Sequence, residues 1–123
     1  SEPIVRGSRH IHDDGSVDLF GSVPEGADVQ LVTATEESML AASRLAAKNA
    51  LHGVDGRASG AMGLVCTGRT LVLGESYAKE PRGLAETLGV PFGGTAVNGE
   101  IALGHRDANG FYNSSAVVVA FPE

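Results

Sequence analysis

The sequence predicts an α+β domain: a single layer of largely antiparallel sheet, about five to six strands, with two to three helices packed on one face. Three observations lead there. Short runs that alternate polar and apolar residues are separated by strong turn signals, as in Ser16–Phe20 and Asp28–Val32. One long stretch, from Thr33 to about Leu51, carries a helical apolar face. Two further runs, Gly60–Cys66 and Ser115–Phe121, are apolar enough to be buried strands.

Taken in order, Pro3–Arg6 reads as a short strand, and Asp13-Asp14-Gly15 as a turn. Val23-Pro24-Glu25-Gly26 is a second turn, with Pro24 preset for its first central position. The alternating runs on either side of it, 16–20 and 28–32, should pair antiparallel. Thr33 and Glu36 offer a capping box for the helix that follows. Along that helix Met39, Leu40, Ala46, Ala47, Ala50 and Leu51 share one arc, with the polar Ser43 among them. Gly53 is placed to end it in the left-handed conformation.

Residues 60–66 are apolar on both faces, which predicts a central strand. The pattern after Cys66 leaves two readings open: Thr70–Leu73 fits a return strand or the opening turns of a helix. Arg82–Leu88 reads as a short helix, with Pro81 at its start and Gly89 at its end. Phe92–Val97 is a glycine-weakened strand, and Asn98-Gly99 before Glu100-Ile101-Ala102 signals a hairpin. Asp107–Gly110 is a further turn, and 115–121 closes the chain as a strand.

Composition narrows the function. The chain has 123 residues, enough for one domain, read here as 1–123. Fifteen acidic against nine basic residues give a net charge of -6, without the basic stripe that nucleic acid requires. No apolar run reaches the roughly 18 residues of a membrane helix. No secretory leader opens the chain, and its first residue, Ser1, fits a piece of a longer protein. A lone cysteine excludes an internal disulfide and points to a reducing cytoplasm. His10 and His12 fall on one strand face, but no third ligand lies near in sequence, so neither metal nor cofactor is expected. Seventeen glycines and no tryptophan imply tight turns and a core of Val, Leu, Ile and Ala.

Several elements together carry a resemblance: Val17–Val32 with its Val-Pro-Glu-Gly turn, Cys66-Thr67-Gly68-Arg69, Pro91-Phe92-Gly93-Gly94 leading to Asn98-Gly99-Glu100-Ile101, and Tyr112-Asn113-Ser114-Ser115. In this order and spacing they resemble the C-terminal portion of the FIST domain, a sensory module of signalling proteins, over about residues 14–121. The resemblance implies a small-ligand-binding sensory domain of a signal transduction protein, its ligand an amino acid or other small carboxylate. It also implies a helix directly after Cys66, and an N-terminal FIST portion as partner, which this chain does not contain. The aromatic residue that relatives carry just before Gly-Glu is replaced here by Thr95-Ala96-Val97-Asn98.

The candidate ligand-binding residues are Cys66, Thr67, Gly68, Arg69, Gly99, Glu100 and Asn113. Arg69 has two readings: a bidentate grip on a ligand carboxylate, or a structural pair with Glu100 or another acid. The amides near Thr67 and Gly68 would join it in holding an anion. Glu100 would accept an amine, and Gly99 would let the backbone approach. Asn113 either caps a turn or touches ligand. Cys66 reads better as a small strand-end hydrophobe than as a nucleophile, because no histidine stands in a Cys-His motif. No enzymatic activity is expected. The competing classes are a protein-interaction or homodimerisation module and, more weakly, a Cys66-dependent hydrolase.

Overall fold

A computed structural model describes residues 4–102 and 110–123. The elements run β1 (Ser8–Ile11), β2 (Val17–Leu19), α1 (Glu36–His52), β3 (Ala58–Cys66), α2 (Thr67–Leu73), a short 3-10 turn (Gly74–Ala78), α3 (Lys79–Leu88), β4 (Phe92–Val97), β5 (Glu100–Ile101), β6 (Phe111–Tyr112) and β7 (Ala116–Pro122). The α+β class holds. The single layer does not: the strands form three small sheets, β1–β2, β4–β3–β7 and β5–β6.

The principal sheet has β3 at its centre, as two-sided apolarity predicts. Its pairing with β7 is antiparallel, from Ala58↔Pro122 to Val65↔Ala116. Its pairing with β4 is parallel, from Ala61↔Phe92 to Cys66↔Val97. A parallel neighbour requires a long crossover, and α2, the 3-10 turn and α3 supply it. This overturns the Asn98-Gly99 hairpin: β4 has already paired with β3, and the chain turns at Gly99 (φ +110) into β5, whose partner is β6.

One face of this sheet is covered. Ala61 and Val65 of β3 meet Ala47 of α1 and Leu84 and Leu88 of α3, with Leu51, Val90, Phe92, Ala116 and Val118 around them. Small residues on α1 allow the helix to sit close. Met39 and Leu40 at its start pack instead with Leu73 and Tyr77. Ser43, the polar member of the apolar arc, is buried between these two clusters.

Several local expectations change. The cap of α1 is Thr35, not Thr33: its hydroxyl accepts from Ser38 N at 3.1 Å, and Ser38 Oγ accepts from Thr35 N at 3.0 Å. Thr35→Ala should cost about 1 kcal/mol by chemical denaturation, because the Ser38 amide loses its acceptor. Glu36 instead occupies the first helical turn, where the macrodipole favours it, and pairs with Lys79 at 2.6 Å. That hydrogen bond, with one from Ser76, holds the Glu36 carboxyl below its usual 4.5. A lowered folded value means the pairing contributes fully above pH 4.5 and is lost as pH falls through the lowered value. Lys79→Gln should therefore lower the melting temperature slightly at pH 7 and flatten its dependence on pH below 4.5, the two chains converging as the pH falls.

Gly53 is right-handed (φ -63); the positive-φ residues that end the segment are Asp55 and Gly56. Helix α3 starts earlier than expected, at Lys79, with Pro81 in its first turn, and it ends on left-handed Gly89 as predicted. The 13–15 turn stands, with Gly15 at φ +85, but it joins β1 to β2. Strand β1 lies at 8–11, and Ile4–Arg6 is irregular. In the second turn the carbonyl of Pro24 accepts from Ala27 N, so Pro24 is the first corner and Glu25-Gly26 are central. Residues 28–32 form no strand, because neither β2 nor any other described strand lies alongside to receive their hydrogen bonds. The predicted 107–110 turn falls largely outside the described residues.

Candidate functional site

Strands β3 and β4 are parallel, so their C-terminal ends lie side by side, at Cys66 and Val97. Strand β7 runs the other way, so its beginning lies at that same end, where Cys66 N donates to Ser115 O at 3.0 Å. The geometry therefore gathers three pieces of sequence: 66–69, 98–100 and 113–115. Cys66, Thr67, Gly68, Arg69, Gly99, Glu100 and Asn113, separated in sequence, all belong to this end of the fold. It is also where β3 has a parallel neighbour on one side and an antiparallel one on the other.

Within the cluster the residues differ sharply in what they have left to offer. Cys66 is a buried free thiol at the strand end. Thr67 Oγ1 donates to Asn98 Oδ1 at 2.7 Å, tying the first turn of α2 to the loop after β4. At Gly68 an added Cβ would meet Ser114 Oγ at 3.6 Å and Cys66 Sγ at 3.7 Å, ordinary contacts. At Gly99 it would approach the Phe111 ring to 2.8 Å. Asn113 is buried and accepts from Gly7 N at 3.4 Å while donating to Tyr112 O at 3.2 Å, so it holds the N-terminal hairpin against β6.

Each nitrogen of the Arg69 guanidinium is engaged. Only 3% exposed, the residue donates through Nε to Glu80 Oε1 at 2.8 Å and through Nη1 to Ser114 O at 3.0 Å. Its Nη2 donates to Met39 O and to Ser43 Oγ, both at 2.7 Å, and also contacts Glu80 Oε1. The Ser43 hydroxyl, within reach of the Met39 carbonyl at 3.1 Å, also bonds Glu80 Oε1. This ion pair joins α1, α2, α3 and the start of β7. Its acid is Glu80, not Glu100. Sequence reasoning missed Glu80, which has no distinguishing local pattern; the serine in the apolar arc of α1 was the available signal of a buried polar network.

Glu100 is different. Its side chain is 1% exposed, and Oε2 accepts from Ser115 Oγ at 2.6 Å. Its other oxygen, Oε1, is buried with no hydrogen-bond partner among the described residues. Buried polar atoms are nearly always satisfied, so this oxygen marks a place where a donor is wanted. Glu80 Oε2 is also without a partner among the described residues, but the positive charge of Arg69 already lies against that carboxylate.

The fold and this end of it define a class: an α+β domain with a buried polar cluster at adjoining strand ends and no sign, among the described residues, of a metal-binding group. A comparison with protein families identifies it further. The chain matches the FIST C domain over residues 1–103, and it belongs to that family. The family is one of sensory domains in signal transduction proteins, and the chain is of that kind. Searches of curated proteins and of solved structures return no match. No helix among the described residues is long and apolar enough to cross a membrane.

Proposed function

We propose that this chain is the ligand-binding portion of a cytoplasmic sensor, without catalytic activity, and that its ligand presents an amine to Glu100. The observation that carries this is the Oε1 of a buried carboxylate, without a partner among the described residues, beside the joined ends of β3 and β4. An ammonium group supplies both the missing donor and the missing charge. The Arg69 guanidinium is buried and already paired with Glu80, which moves the reading from small carboxylates in general to amines, amino acids among them. Ligand binding between β5 and the start of β7 would favour one of two arrangements of these strands, which a linked output domain reads. Thiol chemistry finds little support: Cys66 is buried and no histidine hydrogen-bonds it among the described residues.

The test is a thermal-shift and calorimetric screen of amino acids and simple primary amines. At least one should raise the melting temperature of the wild-type chain. Glu100→Gln keeps the side chain's shape and the Ser115 contact but removes the charge. It should weaken that ligand about 10- to 150-fold, the equivalent of the 1.5–3 kcal/mol of a charged hydrogen bond. A screen with no amine hit, or a hit that Glu100→Gln binds equally well, would sink the proposal.

A further inference from the structure

The chain shows far more surface than its mass calls for. A compact monomer of 12.6 kDa exposes about 6,200 Å². This chain exposes 8695 Å², a surplus of about 2,500 Å² over that expectation. A standard interface buries about 800 Å² on each partner, so the surplus is ample for a stable dimer.

Two regions stand out in it. The first is the N-terminal arm, residues 4–35, in which nearly every side chain is exposed. Its root is fixed to the domain: Arg6 Nη1 donates to Phe111 O at 3.1 Å, and Gly7 N to Asn113 Oδ1. Beyond the hairpin it carries Val29, Leu31 and Val32, all exposed, with Leu31 as open as in an extended chain. The second is the bare face of the principal sheet. Met62, Leu64, Val117, Val119 and Phe121 alternate with the helix-covered positions on β3 and β7. Met62 is 40% exposed and Phe121 47%.

We infer that two copies of this chain associate by exchanging arms, the Val29–Val32 strip of each lying across Met62, Val119 and Phe121 of the other. One chain carries both halves of the contact, an apolar strip and an apolar face, so a two-fold axis closes it without a foreign partner. No charged residue lies between Asp28 and Glu36, and none of the bare-face residues is charged, so no ion is stripped of water. In extended backbone Val29 and Leu31 point to one side, as a strip laid on a sheet requires. The strip stands clear of its own sheet, which leaves it available to a partner. This inference is independent of the amine reading at Glu100.

Sedimentation velocity of the intact chain at micromolar concentrations should show a dimer. Leu31→Asp should raise the dissociation constant at least tenfold with the circular dichroism unchanged, because Leu31 makes no contact that the monomer needs. Val119→Asp should act in the same direction. As a second measurement, Leu31→Cys and Val119→Cys chains, each also carrying Cys66→Ser, should form a disulfide-linked heterodimer when mixed. A wild-type monomer throughout the concentration range would overturn the inference. So would a dimer indifferent to Leu31→Asp, or a disulfide that closes within one monomeric chain carrying both cysteines.

Discussion

Arg69→Ala should destabilise the domain by about 3–5 kcal/mol, measured as the shift in unfolding free energy from urea denaturation. The reason lies in what the substitution leaves behind. Glu80 would remain buried with no cation among the described residues, and the carbonyls of Met39 and Ser114 would each lose a donor. Arg69→Lys should recover only part of the loss, since one ammonium cannot reach groups on α1, α3 and β7 as a planar guanidinium does. Pairing Arg69→Met with Glu80→Leu should be milder than either single change, because neither charge is then buried alone. If Arg69 were free to bind ligand instead, alanine would cost affinity and spare stability. The distinction is therefore open to direct measurement.

Gly94→Ala should be comparably severe, about 3 kcal/mol or more, or should prevent folding outright. An added Cβ at Gly94 would lie 2.2 Å from the carbonyl oxygen of Gly63, its partner on β3. The obstacle is backbone, so no side-chain rotation relieves it, and β4 must lift away from β3. Since β4 also carries the turn into Glu100, the candidate site would be displaced with it. Gly93→Ala is the control. Nothing lies within 4 Å of a Cβ there, so stability should change by no more than about 0.5 kcal/mol. Thermal and urea unfolding of the pair would separate glycine needed for close approach from glycine that happens to lie in a strand.

Much of the fold was legible because its elements are locally encoded. The helix α1, the strands β3, β4 and β7, and the Gly89 end of α3 all carry their own period or stop signal. What was not legible is partnership. Residues 28–32 alternate as well as any strand in the chain, yet alternation expresses only a capacity to pair. The Asn-Gly before Glu100 has the chemistry of a hairpin, but β4 was already committed to a parallel neighbour some thirty residues back in the chain. The site divided in the same way. The candidate residues do gather at one end of the sheet, yet Asn113 is occupied in holding the hairpin and Arg69 in holding the helices.

The sequence by itself determined the α+β class, the central strand, its cysteine end and the family to which the chain belongs. Only the tertiary structure decided which acid meets Arg69, and so which carboxylate has no cation beside it among the described residues. Glu80 and Glu100 are chemically alike, and nothing local ranks them. Helix packing brings Glu80 onto the guanidinium, whereas the β5–β6 pairing and the start of β7 hold Glu100, whose hydrogen-bond partner among the described residues is Ser115. Long-range packing makes that choice, and periodicity cannot express it.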